Sequence, residues 1–147
     1  MDGPLDTRKY VSILKDLVEE GHEANMTIVG SSMSPFLIHG RDKIFFSKPE
    51  DTLKRGDMVF YQRDNDQFVM HRIIRVKDDG YYMVGDAQTA IEGPLNREQI
   101  FAKITKVERK GKLLTESSFW WRFFQGPWLW ARPMRPLILK IYGWIRR

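Results

Sequence analysis

Ser32 stands in the run Gly30-Ser31-Ser32-Met33-Ser34-Pro35, where a short apolar segment ends and a glycine and a proline bracket a loop. A serine hydroxyl is a poor nucleophile at neutral pH and attacks only when a base lies within hydrogen-bond reach. The chain has no cysteine, which excludes disulfides, cysteine nucleophiles and thiolate metal sites. Its three histidines, His22, His39 and His71, lack the spacing of a metal-binding helix, so neither a metal nor another cofactor is expected. A serine-rich loop between strands is by itself most often a turn. Ser32 gains its interest from the segments that follow it.

These residues need a scaffold, and 147 residues are enough for one catalytic domain with short extensions. At 42% hydrophobic and 29% charged residues the composition is that of a folded chain. Tyr10, Ile13, Leu14, Leu17 and Val18 recur at helical spacing after a possible N-cap at Asp6 or Thr7, and Gly21 is placed to end the helix. That amphipathic helix, within residues 1–25, is expected to pack on the domain. Short apolar runs rich in Val, Ile, Phe and Tyr then predict strands over 26–29, 43–46, 58–62, 68–76, 81–84 and 101–108. Residues 63–66 and 77–80 read as hairpin turns. The expected fold is mainly β: a small, mostly antiparallel sheet or barrel over 26–117.

Four segments occur in a telling order. Gly30 to Pro35 fits Gly-x-Ser-Met-x-Pro, with Gly40 to Asp42 behind it. Lys54-Arg55-Gly56-Asp57-Met58-Val59-Phe60 and Val69-Met70-His71-Arg72-Ile73-Ile74 follow, then Gly85-Asp86. The ordered set resembles type I signal peptidases, of the superfamily shared with LexA-like repressors. The resemblance implies a β catalytic domain and a serine endopeptidase that cleaves precursor or leader peptides, with Ser32 attacking; Ser31 is the local competitor. Where most bacterial relatives carry a lysine before the arginine, this chain has His71, the pattern of endoplasmic-reticulum-type signal peptidases. His71 would accept the Ser32 proton from a fairly exposed site, with activity falling below about pH 6 to 7. Those relatives orient their histidine with an aspartate in or after the Gly-Asp box, which points to Asp86, with Glu92 as the alternative. Asp42 and Asp57 are expected to be structural. The Ser32 backbone amide would face the oxyanion. By family geometry an extended substrate would add a strand near Ile28 and Met33 on one side and Phe68 and Met70 on the other.

The net charge of +5 resides in the last segment: residues 119–147 hold six basic residues and no acidic one, leaving 18 basic against 19 acidic before them. All five tryptophans, Trp120, Trp121, Trp128, Trp130 and Trp144, lie there too. Prolines at 127, 133 and 136 should keep its helices short. Aromatic and basic side chains together suit the headgroup level of a membrane, so the tail is expected to be an interfacial anchor touching lipid through those tryptophans. A dry cover over the β core and a single-stranded nucleic-acid surface are the other readings; nucleic acid is not the expected partner. No stretch reaches the roughly 20 apolar residues of a spanning helix. The start of the chain does not read as a secretory signal, which favours a peripheral protein on the cytoplasmic side. Two rival functions share the fold: a catalytically inactive membrane-associated binding module, and a LexA-like regulator.

Overall fold

The computed structural model of the chain describes residues 4–49 and 52–146, without the side chains of 4–7, 139 and 142–146. Helix α1 spans Pro4–Glu19 and precedes seven strands of one antiparallel sheet: β1 Ala24–Thr27, β2 Lys43–Ser47, β3 Met58–Gln62, β4 Phe68–Lys77, β5 Gly80–Val84, β6 Glu92–Leu95 and β7 Ile100–Arg109. Strand β8, Lys112–Leu114, pairs with the end of β7. Spatial order is β1-β2-β7-β3-β4-β5-β6. The chain closes with α2 Phe119–Gln125, α3 Pro127–Trp130 and α4 Arg135–Arg146.

Burial on both faces of the sheet follows from the sequence of β3, whose apolar side chains do not alternate with polar ones. Met58 and Phe60 join Ile44, Phe46 and Ala102 in a cluster that also takes up α1, the loop after β1 and α2. Val59 and Tyr61 face the other way, into a cluster with Ile73, Met83, Leu95 and Ile100. Each fully buried aliphatic or aromatic side chain of this kind contributes about 1.5–3 kcal/mol. The sheet is therefore a rigid central layer.

Several sequence expectations shift. Helix α1 begins at Pro4, ahead of the expected N-cap, because proline is at home in a first turn. It ends as anticipated at Gly21, whose φ of 99° allows the closing bonds from Gly21 N to Val18 O and from His22 N to Leu17 O. Its buried stripe is Val11, Leu14 and Val18, whereas Tyr10, Ile13 and Leu17 are exposed. Strand β1 lies two residues earlier than expected, and β6 and β8 were not foreseen, since Gly93-Pro94 and a three-residue strand carry almost no strand signal. Pro136 does not break α4: it falls in the first turn, where the missing N–H costs nothing, and the helix runs twelve residues.

Part of the tail covers the core. Trp121 and Trp128 are buried, so the structure corrects their expected lipid contact. Trp121 meets Phe36 edge-on, and Trp128 packs on Phe124. Trp120 and Trp130 are exposed, at 46% and 77%. The Trp144 side chain lies outside the described residues. Among the described residues, no helix is long and apolar enough to cross a membrane.

Candidate active site

The nucleophile loop is fixed at both ends. Ile28 N donates to Asp42 O, and Gly40 N to Ile28 O, which extends the ladder beyond β1. Gly30 then turns the chain at φ 91°, and its amide donates to Nδ1 of His39 at 2.8 Å. Met33, Phe36 and Leu37 are buried and anchor the loop, while Ser31 is exposed and Ser32 partly exposed between them. Arg109 donates to Phe36 O at 2.7 Å and lies over the Phe36 and Trp120 rings. Among the described residues the Ser32 amide donates to no group, which leaves it available to a developing oxyanion.

Strand β4 carries the candidate base, His71. Residues 68–71 pair with β3 alone, because β5 joins only from Arg72 onward, so this stretch presents an unpaired edge. Ser32 and His71 line one groove of about 680 Å³. Ile28, Val29, Gly30, Met33, Phe68, Val69 and Met70 line it as well. All four residues expected to touch substrate thus share it. No hydrogen bond joins Ser32 to His71; catalytic contacts of this kind commonly tighten only around a substrate.

His71 is 5% exposed, not the open base expected from sequence. Burial pushes its pKa from 6.5 down to about 4; Glu92 opposes that shift and Arg63 adds to it. Its Nδ1 lies 3.2 Å from the Tyr61 hydroxyl, which donates to Glu92 Oε1 at 2.8 Å. Arg63 grips both carboxylate oxygens of Glu92 at 2.8 Å and holds its pKa below the usual range. Burial, reinforced by Glu92, holds the Tyr61 phenol protonated. Tyr61 has one proton and an ionised carboxylate to receive it, so it must accept from His71. The ring proton therefore sits on Nδ1, and Nε2 carries the lone pair. Among the described residues Nε2 makes no hydrogen bond and no buried polar side-chain atom lacks a partner, so this nitrogen is accessible, on a residue that lines the groove with Ser32.

Asp86 is not the orienter, and here the structure corrects the sequence expectation. Successive residues of a strand point to opposite faces, so Arg72 turns away from His71, and Asp86 is bound to Arg72. Two bonds of 3.0 and 2.9 Å join them, both side chains fully buried, and Arg72 also donates to Gly56 O. Glu92, the alternative, is the acid that reaches His71, through Tyr61. Asp42 accepts from Ile38 N, Lys110 N and Arg41, and Asp57 from Lys54 N, structural placements for both. Tyr61 and Arg63 were missed because only the fold links them to His71: Tyr61 comes across the β3–β4 pair, and Arg63 acts through Glu92 of β6. Among the described residues, no group of three or more His, Asp or Glu side chains is arranged to hold a metal ion.

A mainly β domain that exposes a serine loop across a groove from a buried histidine defines a peptidase-type scaffold. A family model described as Peptidase S24-like matches residues 4–107, and the chain belongs to that family. No curated protein matches the chain in sequence.

Proposed function

We propose that the protein is a serine endopeptidase with the Ser/His arrangement of endoplasmic-reticulum-type signal peptidases, acting on precursor or leader peptides. The observation that carries this reading is that Ser32 and His71, the latter with an unbonded and accessible Nε2, line one groove. An extended peptide would pair with the unpaired edge of β4 and with residues 28–30, presenting its carbonyl to Ser32. His71 Nε2 takes the Ser32 proton as Oγ attacks, and the Ser32 amide faces the oxyanion. The proton then passes to the departing amine, and water, activated by the same nitrogen, releases the acyl group. Tyr61, backed by Glu92 and Arg63, keeps the ring in the reactive tautomer and stabilises its charged form.

The same proposal makes the enzyme peripheral to a membrane. Leu137 and Ile141 are exposed one turn apart on α4, Trp130 and Met134 are exposed before it, and no acid follows Glu116.

The test is covalent labelling of the purified full chain by a fluorophosphonate, with the adduct located by peptide mapping. Label on Ser32 that is lost in both Ser32→Ala and His71→Ala supports the assignment. Label elsewhere, or none on correctly folded protein, refutes it and favours a non-catalytic binding module of the same fold.

A further inference from the structure

The family match ends at residue 107, yet the turn beside Ser32, pinned from within by the Arg72–Asp86 pair, is also held from beyond that point. Residues 85–89 form this turn. The amide of Ala87 donates to the carbonyl oxygen of Ser32 at 2.9 Å. At Gly85 the two segments approach so closely that a Cβ would stand 2.5 Å from the same oxygen, which only glycine tolerates. The position of the turn therefore sets the position of the Ser32 backbone.

Tail side chains collect the outward carbonyls of the turn. Arg135 donates through one Nη1 to Gly85 O at 2.8 Å and to Gln88 O at 2.7 Å. Trp128 donates its indole N–H to Asp86 O at 2.7 Å, and Arg132 donates to Thr89 O at 2.6 Å. Arg135 is itself fully buried, stacks on the Trp128 ring and donates to Trp128 O. A guanidinium bonded only to carbonyls is an expensive way to cover a core, where an apolar side chain would serve. Its distinctive gain is geometric, because one Nη1 holds two carbonyls of the turn while Nε and Nη2 hold Trp128 O.

We propose that Arg135 and Trp128 are positioning residues for the nucleophile: they clamp the turn at 85–89, and its Ala87 amide holds Ser32 in attacking register. The tail is then part of the catalytic apparatus and not only a lid or an anchor. This inference rests on Ser32 being the nucleophile.

The experiment uses the full chain with Arg135→Ala and with Trp128→Phe, the second keeping a ring in place while deleting its N–H. Saturation labelling by the fluorophosphonate separates the maximal rate from the half-saturating concentration, and amide exchange is followed at Ala87. In variants that remain folded by circular dichroism, the maximal rate should fall about 10- to 100-fold, as expected for a displaced nucleophile, with half-saturation changed less than about twofold. Exchange at Ala87 should accelerate, and millimolar guanidinium should restore labelling in Arg135→Ala by filling the vacated site. Folded variants that label at the wild-type rate overturn the proposal, as does unchanged exchange at Ala87, or a loss that guanidinium leaves in place and that tracks the unfolded fraction. Wild-type protein that takes no label at Ser32 refutes the nucleophile assignment itself, and this proposal falls with it.

Discussion

Replacing Tyr61 with phenylalanine removes one oxygen, and its consequence for His71 follows from hydrogen-bond arithmetic. In the wild type that oxygen accepts from Nδ1 of His71 at 3.2 Å and donates to Glu92 at 2.8 Å. Glu92 keeps both bonds from Arg63, so the acid stays paired. His71 does not: its buried Nδ1–H loses its acceptor, a penalty of about 1–3 kcal/mol. The ring can escape by moving its proton to Nε2, the nitrogen that must be bare to take the proton of Ser32. Either outcome raises the barrier by a similar amount, and at about 1.36 kcal/mol per factor of ten the acylation rate should fall roughly 5- to 150-fold. The assay is the maximal rate of Ser32 labelling at neutral pH, with thermal unfolding as the control for folding. A folded Tyr61→Phe protein that labels within about twofold of wild type would refute the relay.

Acid should act through the same histidine. With a folded-state pKa near 4 against 6.5 for the free group, His71 remains neutral in the native protein while the unfolded chain takes up a proton. Stability is then fully present above 6.5, declines as pH falls from 6.5 toward 4, and loses on the order of 3 kcal/mol, a slope that His71→Gln should flatten in denaturant titrations. The acidic limb of the second-order labelling rate should lie near pH 4 in place of 6 to 7; a limb above 6 would show that His71 is not desolvated as described. Asp86→Ala strands Arg72 in the core and should cost about 3–5 kcal/mol by thermal or urea unfolding while leaving that limb in place, whereas a shifted limb with intact stability would return Asp86 to the catalytic set. Because Trp121, Phe124, Trp128 and Leu129 belong to the core, the membrane reading is tested by Leu137→Glu with Ile141→Glu and not by removing the tail. Binding to anionic phospholipid vesicles in flotation should drop about tenfold or more, and equal flotation would remove the anchor.

The legibility of this chain differs by feature. Six of the eight strands and the N-terminal helix could be read from apolar runs and their punctuation, because local pattern and tertiary burial agree there. The short strands at Glu92–Leu95 and Lys112–Leu114 could not, since pairing with a neighbour, not propensity, makes them strands. Trp121 and Trp128 looked like lipid contacts because composition reports aromatic character but not which face a helix buries.

The sequence alone pointed to the types of the proposed reacting groups, a serine on a glycine-entered loop and a histidine in an apolar strand, and to the mainly β scaffold. Tertiary structure decided which acid serves the histidine. His71 and Arg72 are neighbours in the chain but face opposite sides of β4, so Asp86 goes to the arginine, while Tyr61 and Glu92 reach the histidine from other strands. Register across a sheet is a property of paired strands and has no signature within any one of them. The links from Trp128 and Arg135 to the turn beside Ser32 likewise span more than forty residues, and only the folded chain brings them together.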